Sequence, residues 1–142
     1  LVSAGGDIVA GDAPPKKEGW RVALIGLQVE TKPEFLWLAN GAVATSGDLF
    51  QFLQIDGKRY SHIVDPRTGR ALTEQRLVHV VAPDGITADS LATAISVLGS
   101  GEGLRLVDGD KRLGARVAYR GALGQVRRAA SPVFRAWPRA GE

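Results

Sequence analysis

Between Trp20 and Pro83, apolar residues recur at every second position or in short continuous runs, punctuated by Gly, Asn, Asp and Pro. That pattern predicts short β-strands joined by tight turns. The opening stretch, LVSAGGDIVA, is an apolar run broken at Gly5-Gly6, which reads as a strand end followed by a turn. DAPPKKEG (Asp12–Gly19) reads as a surface loop from its Pro, Lys and Gly content. WRVALIGL is rich in β-branched and aromatic residues and follows as a strand. FLWLANGAVATSGD holds two apolar runs around Asn40-Gly41, the signal of a two-residue hairpin. LFQFLQIDGKRYSHIVD repeats the device at Asp56-Gly57, and LVHVVAP (Leu77–Pro83) is another strand.

At Thr87 the period changes. Leu91, Ala94, Ile95 and Leu98 fall at i, i+3, i+4 and i+7, which predicts an amphipathic helix over about residues 87–98. Thr87 is the expected N-cap and Gly99 the expected stop. GEGLRLVD then adds a short second helix, and GARVAYR with QVRRAASPVFRAW reads as a closing hairpin around Gly121–Gly124. There is no internal repeat. The sum is an α+β domain, mostly antiparallel sheet with one main helix.

Composition sharpens this picture only in places. A chain of 142 residues, 44% hydrophobic and 23% charged, is globular and has enough material for one core. The absence of Cys removes disulfides, thiolate zinc sites and cysteine nucleophiles together. No run reaches the length of a transmembrane helix, and no signal-type n-region and h-region stand at the front. The net charge is +3, with much of the excess late, in Arg112, Arg116, Arg120, Arg127, Arg128, Arg135 and Arg139. These arginines lack the aromatic interleaving of single-strand binders, so a solvated face is the expectation and nucleic acid is not.

Three places hold candidate chemistry. Asp89 falls in the first turn of the predicted helix, and Thr93, four residues on, shares its face. Such a pair offers two hard oxygen ligands of the kind Mg²⁺ takes, beside a helix N-terminus that favours anions. An acid in a first turn also stabilises a helix by about 0.3–1 kcal/mol without any metal, so the pair alone has two readings. ATSGD (Ala44–Asp48) has small residues that admit a ligand close to the backbone, with Ser46 and Asp48 as hydrogen-bonding groups. Taken alone it reads first as an ordinary turn after a strand, and Gly5-Gly6-Asp7 shares the ambiguity.

The third place is RYSHIVDPRTGR, Arg59–Arg70. His62 alternates with Tyr60 and Val64 on its own face and with Ser61 and Ile63 on the other. It is either a half-buried structural residue or a general base whose ordinary pKa lies close to operating pH. His79, between Val78 and Val80, has no polar company and reads as structural. Two histidines build neither a Ser-His-Asp triad nor a His-rich metal site. LGSGEGL is neither a Walker loop nor a dinucleotide fingerprint, because it follows a helix and no Lys-Ser/Thr pair ends it.

The order of these elements carries more than any one of them. GGDI, ATSGD, YSHIVDPRTGR and APDGITADSLATAISVLG, in that order, resemble the ApbE-type flavin transferases, the FAD:protein FMN transferase family. The resemblance runs from about Val2 to Leu106. It implies an ApbE-like fold and Mg²⁺-dependent transfer of FMN from FAD to a threonine hydroxyl of an acceptor protein, with AMP released; some members hydrolyse FAD instead. It assigns Asp89 and Thr93 to the metal, His62 to proton abstraction, and Ile63 to a contact with the flavin nucleotide. Gly5, Gly6, Asp7, Ser46, Gly47, Asp48, Asp65, Thr68 and Gly69 would shape the nucleotide pocket.

Ser61 stands where some members have a second histidine. Family members also carry an upstream half that supplies further metal and FAD contacts. With Leu1 first and no Met, residues 1–142 are therefore expected to be a single domain, the C-terminal portion of a flavin transferase. The alternative is a non-catalytic flavin-binding or scaffold domain of the same fold. By resemblance the expected setting is the bacterial periplasm or inner membrane, with membrane association through an N-terminal lipid anchor outside this stretch.

Overall fold

A strand that is apolar on both faces must be covered twice, and Arg76–Ala82 is such a strand. The computed structural model describes residues 1–27, 34–121 and 123–141. In chain order its strands are β1 (Val2–Ala4), β2 (Asp7–Ala10), β3 (Trp20–Leu24), β4 (Glu34–Leu38), β5 (Gly41–Gly47), β6 (Phe52–Ile55), β7 (Lys58–Ser61), β8 (Val64–Asp65), β9 (Arg70–Ala71), β10 (Arg76–Ala82), β11 (Gly114–Arg120) and β12 (Val126–Ala130). The helices are α1 (Gly85–Arg105) and α2 (Pro132–Ala136). Among the described residues, six strands form one antiparallel sheet in the order β1-β2-β5-β10-β11-β12. This is the mostly antiparallel α+β fold that the periodicity predicts.

The sheet is the middle layer of three. Ala42, Ala44, Val78, Val80, Ala82, Ala115 and Val117 face α1, which buries Ala88, Ala92 and Ile95 against them. The opposite face carries Ala10, Val43 and Val81, covered by Val22, Leu24, Leu36 and Leu38 of the β3–β4 hairpin and by Phe134 of α2. Small residues on both sides of the first interface let α1 lie close to the sheet, and this moves its buried stripe. The stripe is Ala88, Ala92, Ile95 and Gly99, with Leu91 at its flank, where the sequence pattern centred it on Leu91, Ala94, Ile95 and Leu98.

Four local expectations need correction. The helix starts at Gly85 with Asp84 as its N-cap; Asp84 Oδ1 accepts the Thr87 N–H at 2.9 Å and Oδ2 accepts the Thr87 hydroxyl at 2.8 Å. Gly99 does leave helical geometry, at φ +78, but as a kink, and the helix resumes to Arg105. The carbonyls of Ser96 and Val97, freed there, are taken by Arg76 Nη1. Asn40-Gly41 makes no hairpin: Asn40 turns at φ +48, but β4 pairs with β3 and β5 enters the main sheet. Finally, β12 ends at Ala130, and SPVFRAW forms α2, with Ser131 capping the Phe134 N–H and Pro132 in the first turn. The Gly121–Gly124 turn includes Ala122, which lies outside the described residues. No helix among the described residues is long and apolar enough to cross a membrane.

Several late arginines are engaged within their own chain. Arg116 pairs with Glu34, Arg112 with Asp110, and Arg120 binds the Gln75 side chain. His79 lies fully buried beside Arg116, whose Nη2 stands 3.5 Å from His79 Nδ1. Burial first, then the charges of Arg116 and Arg139, push this imidazole down to about 3, so it is neutral at neutral pH. A folded pKa below the unfolded one gives stability that is complete above pH 6.5 and lost as pH falls toward 3. The unfolding free energy is therefore expected to drop by up to about 1.4 kcal/mol per pH unit below that point from this group alone. Urea titrations across this range should show a shallower pH slope in His79→Gln than in the parent. Equal slopes would contradict the assignment.

Candidate functional site

β5 lies against β10 along Ala42–Gly47 but against β2 only along Gly41–Val43. Its outer edge from Ala44 onward thus has no strand beside it among the described residues. The β1–β2 turn sits over this gap. Gly5 and Gly6 turn at φ +61 and +108, and a Cβ on Gly6 would come within 3.4 Å of the Thr45 carbonyl oxygen. The turn delivers Asp7 to the open edge, beside the backbone N–H of Thr45. α1 runs alongside with Asp89 and Thr93 next to its buried stripe, and the loop between β5 and β6, with His62 just after β7, closes the far side.

The result is a cleft of about 530 Å³. Of the residues singled out in the sequence it brings together Gly5, Gly6, Asp7, Ser46, Gly47, His62, Asp89 and Thr93. Ile8 and Thr45, inside GGDI and ATSGD but without a role of their own in the sequence pattern, also line it, as do Ile25 and Phe50, which lie outside every motif. Phe50 is 82% exposed, an unusual state for an aromatic ring at the mouth of a cleft.

Oxygen ligands gather at one end. Burial, and next the charge of Asp89, raise the Asp7 carboxyl above its ordinary value, and the Thr45 N–H only partly offsets this. A carboxylate whose charge is disfavoured by burial and by a second carboxylate is relieved by a cation beside it. With the Thr93 hydroxyl the set is all hard oxygen, which suits Mg²⁺ and offers nothing to a soft metal. No group of three or more His, Cys, Asp or Glu among the described residues forms a closed metal cage, so a bound ion would keep positions for water or substrate. Because α1 begins at Gly85, its first turn holds no acidic residue and Asp89 lies beyond it. The helix-stabilising reading of Asp89 thereby loses its basis. The resemblance makes Asp7 a pocket residue only; its approach to Asp89 comes from strand order, which no local pattern encodes.

His62 is held at its other nitrogen. Nδ1 lies 2.9 Å from the Gln51 carbonyl oxygen, which also accepts the His62 backbone N–H at 3.3 Å. A carbonyl only accepts, so Nδ1 carries the proton and the neutral ring keeps its lone pair on Nε2. That is the state a general base requires.

Five motif residues do not line the cleft. Asp48 is 2% exposed and turned inward: Oδ2 accepts Arg59 Nε–H at 2.8 Å, its backbone oxygen accepts Arg59 Nη2–H, and Oδ1 accepts the Arg76 backbone N–H at 3.3 Å. Ile63 is buried, its N–H donating to Ser61 Oγ and its carbonyl accepting Leu72 N–H, so its backbone is already engaged. Asp65 holds the turn between β8 and β9, accepting the backbone N–H and guanidinium of Arg67, which keep its carboxyl below the usual range. Thr68 and Gly69 donate their N–H groups to the Asp65 carbonyl, and Gly69 turns at φ +66. The polar residues of DPRTG thus satisfy one another. Gly47 is needed for packing too, since a Cβ there would lie 2.6 Å from the Arg76 carbonyl oxygen.

Comparisons with known proteins agree with this architecture. The family model described as the ApbE family matches residues 1–117. The chain is 35% identical over 115 residues to an FAD:protein FMN transferase of Vibrio cholerae serotype O1, covering 78% of this chain and 34% of that protein. It is 38% identical over 105 residues to one of Klebsiella pneumoniae, covering 70% and 29%. The chain therefore spans about a third of the length of these relatives. The apo crystal structure of the Pseudomonas stutzeri flavinyl transferase ApbE superposes with a TM-score of 0.76 at 28% identity, over 98% of this chain and 43% of that one. The ApbE protein of Thermotoga maritima gives 0.73 at 29% identity, over 97% and 44%. A family match across residues 1–117, a shared fold and motifs in the same order have one explanation: the chain belongs to the ApbE family.

Proposed function

We propose that this chain supplies the metal-and-base side of a flavin transferase site, moving FMN from FAD to a threonine hydroxyl of an acceptor protein with release of AMP. One observation carries the reading: a single cleft holds Asp7, Asp89 and Thr93 together with a histidine whose Nε2 is left with the lone pair. Bound Mg²⁺ would supply charge neutralisation on the pyrophosphate oxygens. Asp89 and Thr93 would hold it, and Asp7 would add negative charge beside it. Nε2 of His62 would take the proton from the incoming hydroxyl as its oxygen bonds to phosphorus and the bond to the AMP phosphate breaks. Water in place of the hydroxyl gives FMN and AMP.

The bacterial periplasm or inner-membrane face remains part of the proposal on motif resemblance alone. A second reading has the same cleft binding flavin without turnover. Incubation with FAD and Mg²⁺ decides. AMP release supports the transferase reading. Flavin fluorescence quenching without AMP supports the second, and neither signal would refute both.

A further inference from the structure

We propose that the Asp48–Arg59 ion pair is a positioning device for His62, setting the loop Asp48–Gln51 so that the Gln51 carbonyl stays on His62 Nδ1. This rests on the reading of His62 as the base. Arg59 lies in β7, the strand that leads to His62, and Asp48 opens the loop that ends at Gln51. The arginine grips Asp48 at two points, the carboxylate through Nε and the backbone oxygen through Nη2. Its guanidinium is also stacked on the Phe52 ring, 3.4 Å from the centroid. A two-point grip fixes orientation as well as distance, which a single charge does not.

Asp48 is tied at its remaining oxygen to the Arg76 N–H at the start of β10. The grip therefore refers the β6–β7 hairpin, and His62 with it, to the central sheet. The Gln51 contacts to His62 are the far end of the same loop. Loosening the near end frees the carbonyl that selects the Nδ1–H tautomer, and a free histidine side chain prefers the proton on Nε2. A base so released presents an N–H where a lone pair is needed. Asp48 touches neither cleft nor reacting atoms; it acts through His62.

The chain contains two histidines, which makes the test direct. His79 faces a guanidinium at Nδ1, and arginine only donates, so His79 carries its proton on Nε2. Long-range ¹H–¹⁵N imidazole spectra of the ¹⁵N-labelled protein, recorded above the histidine titration range without FAD, should show one ring of each tautomer. Arg59→Gln should shift His62 toward Nε2–H and leave His79 unchanged, which also certifies the fold. If Arg59→Gln disturbs His79, the near-isosteric Asp48→Asn is read instead and should move His62 in the same direction by less. A His62 that keeps full Nδ1–H character in either variant, with His79 intact, overturns the proposal. So does a parent protein whose His62 is already Nε2–H. Where AMP release is measurable, kcat in these variants should fall about 10- to 100-fold with KM for FAD unchanged. A parent that releases no AMP would count against the base reading, while the tautomer result would still decide this one.

Discussion

His62→Ala is expected to lower AMP release from FAD by about 10²- to 10⁴-fold, the range a positioned general base supplies. FAD affinity should change far less, because the ring lines the cleft without closing it and its structural bond runs through the exposed Gln51 carbonyl. Stability should barely move, since His62 is exposed and joins no apolar cluster. His62→Gln makes the comparison sharper: an amide retains a donor for Gln51 but cannot take a proton at neutral pH. The two variants should therefore be about equally slow. Wild-type AMP release in either would end the assignment of His62 as base.

The second large effect is expected at Asp89. Asp89→Asn should weaken Mg²⁺ binding by about 10- to 100-fold or more, the lower range being what loss of an outer-shell partner already produces. The Asp7 carboxyl gives an independent readout, because Asp89 is one of the causes holding it high. Removing that charge should bring the Asp7 titration down toward its ordinary value, visible by carboxyl NMR.

The pH dependence has a definite sign. A carboxyl whose folded pKa is raised favours the fold at low pH, and that contribution is lost as pH rises through the folded value. The metal-free protein thus carries an Asp7 carboxylate at neutral pH that burial and then the Asp89 charge disfavour, and a bound Mg²⁺ would relieve it. The rise in Tm on adding Mg²⁺ should be present at pH 7, shrink as pH falls into the carboxyl range, and be nearly absent in Asp89→Asn. A Tm gain of the same size in parent and variant would show that the ion binds elsewhere.

Much of this fold is legible in short windows of sequence. Glycine-bearing turns at Gly5-Gly6 and Asp56-Gly57, with φ values of +61, +108, +49 and +75, do what their residue types require. The strands β6, β7, β10 and β11 lie where the apolar runs place them. Asn40 also turns as its side chain allows, yet the flanking strands part company, because β5 finds more to bury between β2 and β10 than against β4. The buried face of the helix lies about one position from the one the periodicity predicts, for a similar reason. Alanines score weakly in a hydrophobic pattern but are the residues that fit where Ala42, Ala44 and Ala82 oppose them.

The candidate site divides along the same line. Residue order and motif spacing, by themselves, determined the family, the pairing of Asp89 with Thr93 on one helical face, and the presence of a histidine after a strand. Tertiary structure alone decided that Asp7 stands near Asp89, that Asp48 turns inward to Arg59, and that Gln51 selects the tautomer of His62. Turn geometry and helical periodicity are energies of neighbours along the chain. Charge repulsion, ion pairing and carbonyl contacts between distant segments depend on which strands the core brings side by side.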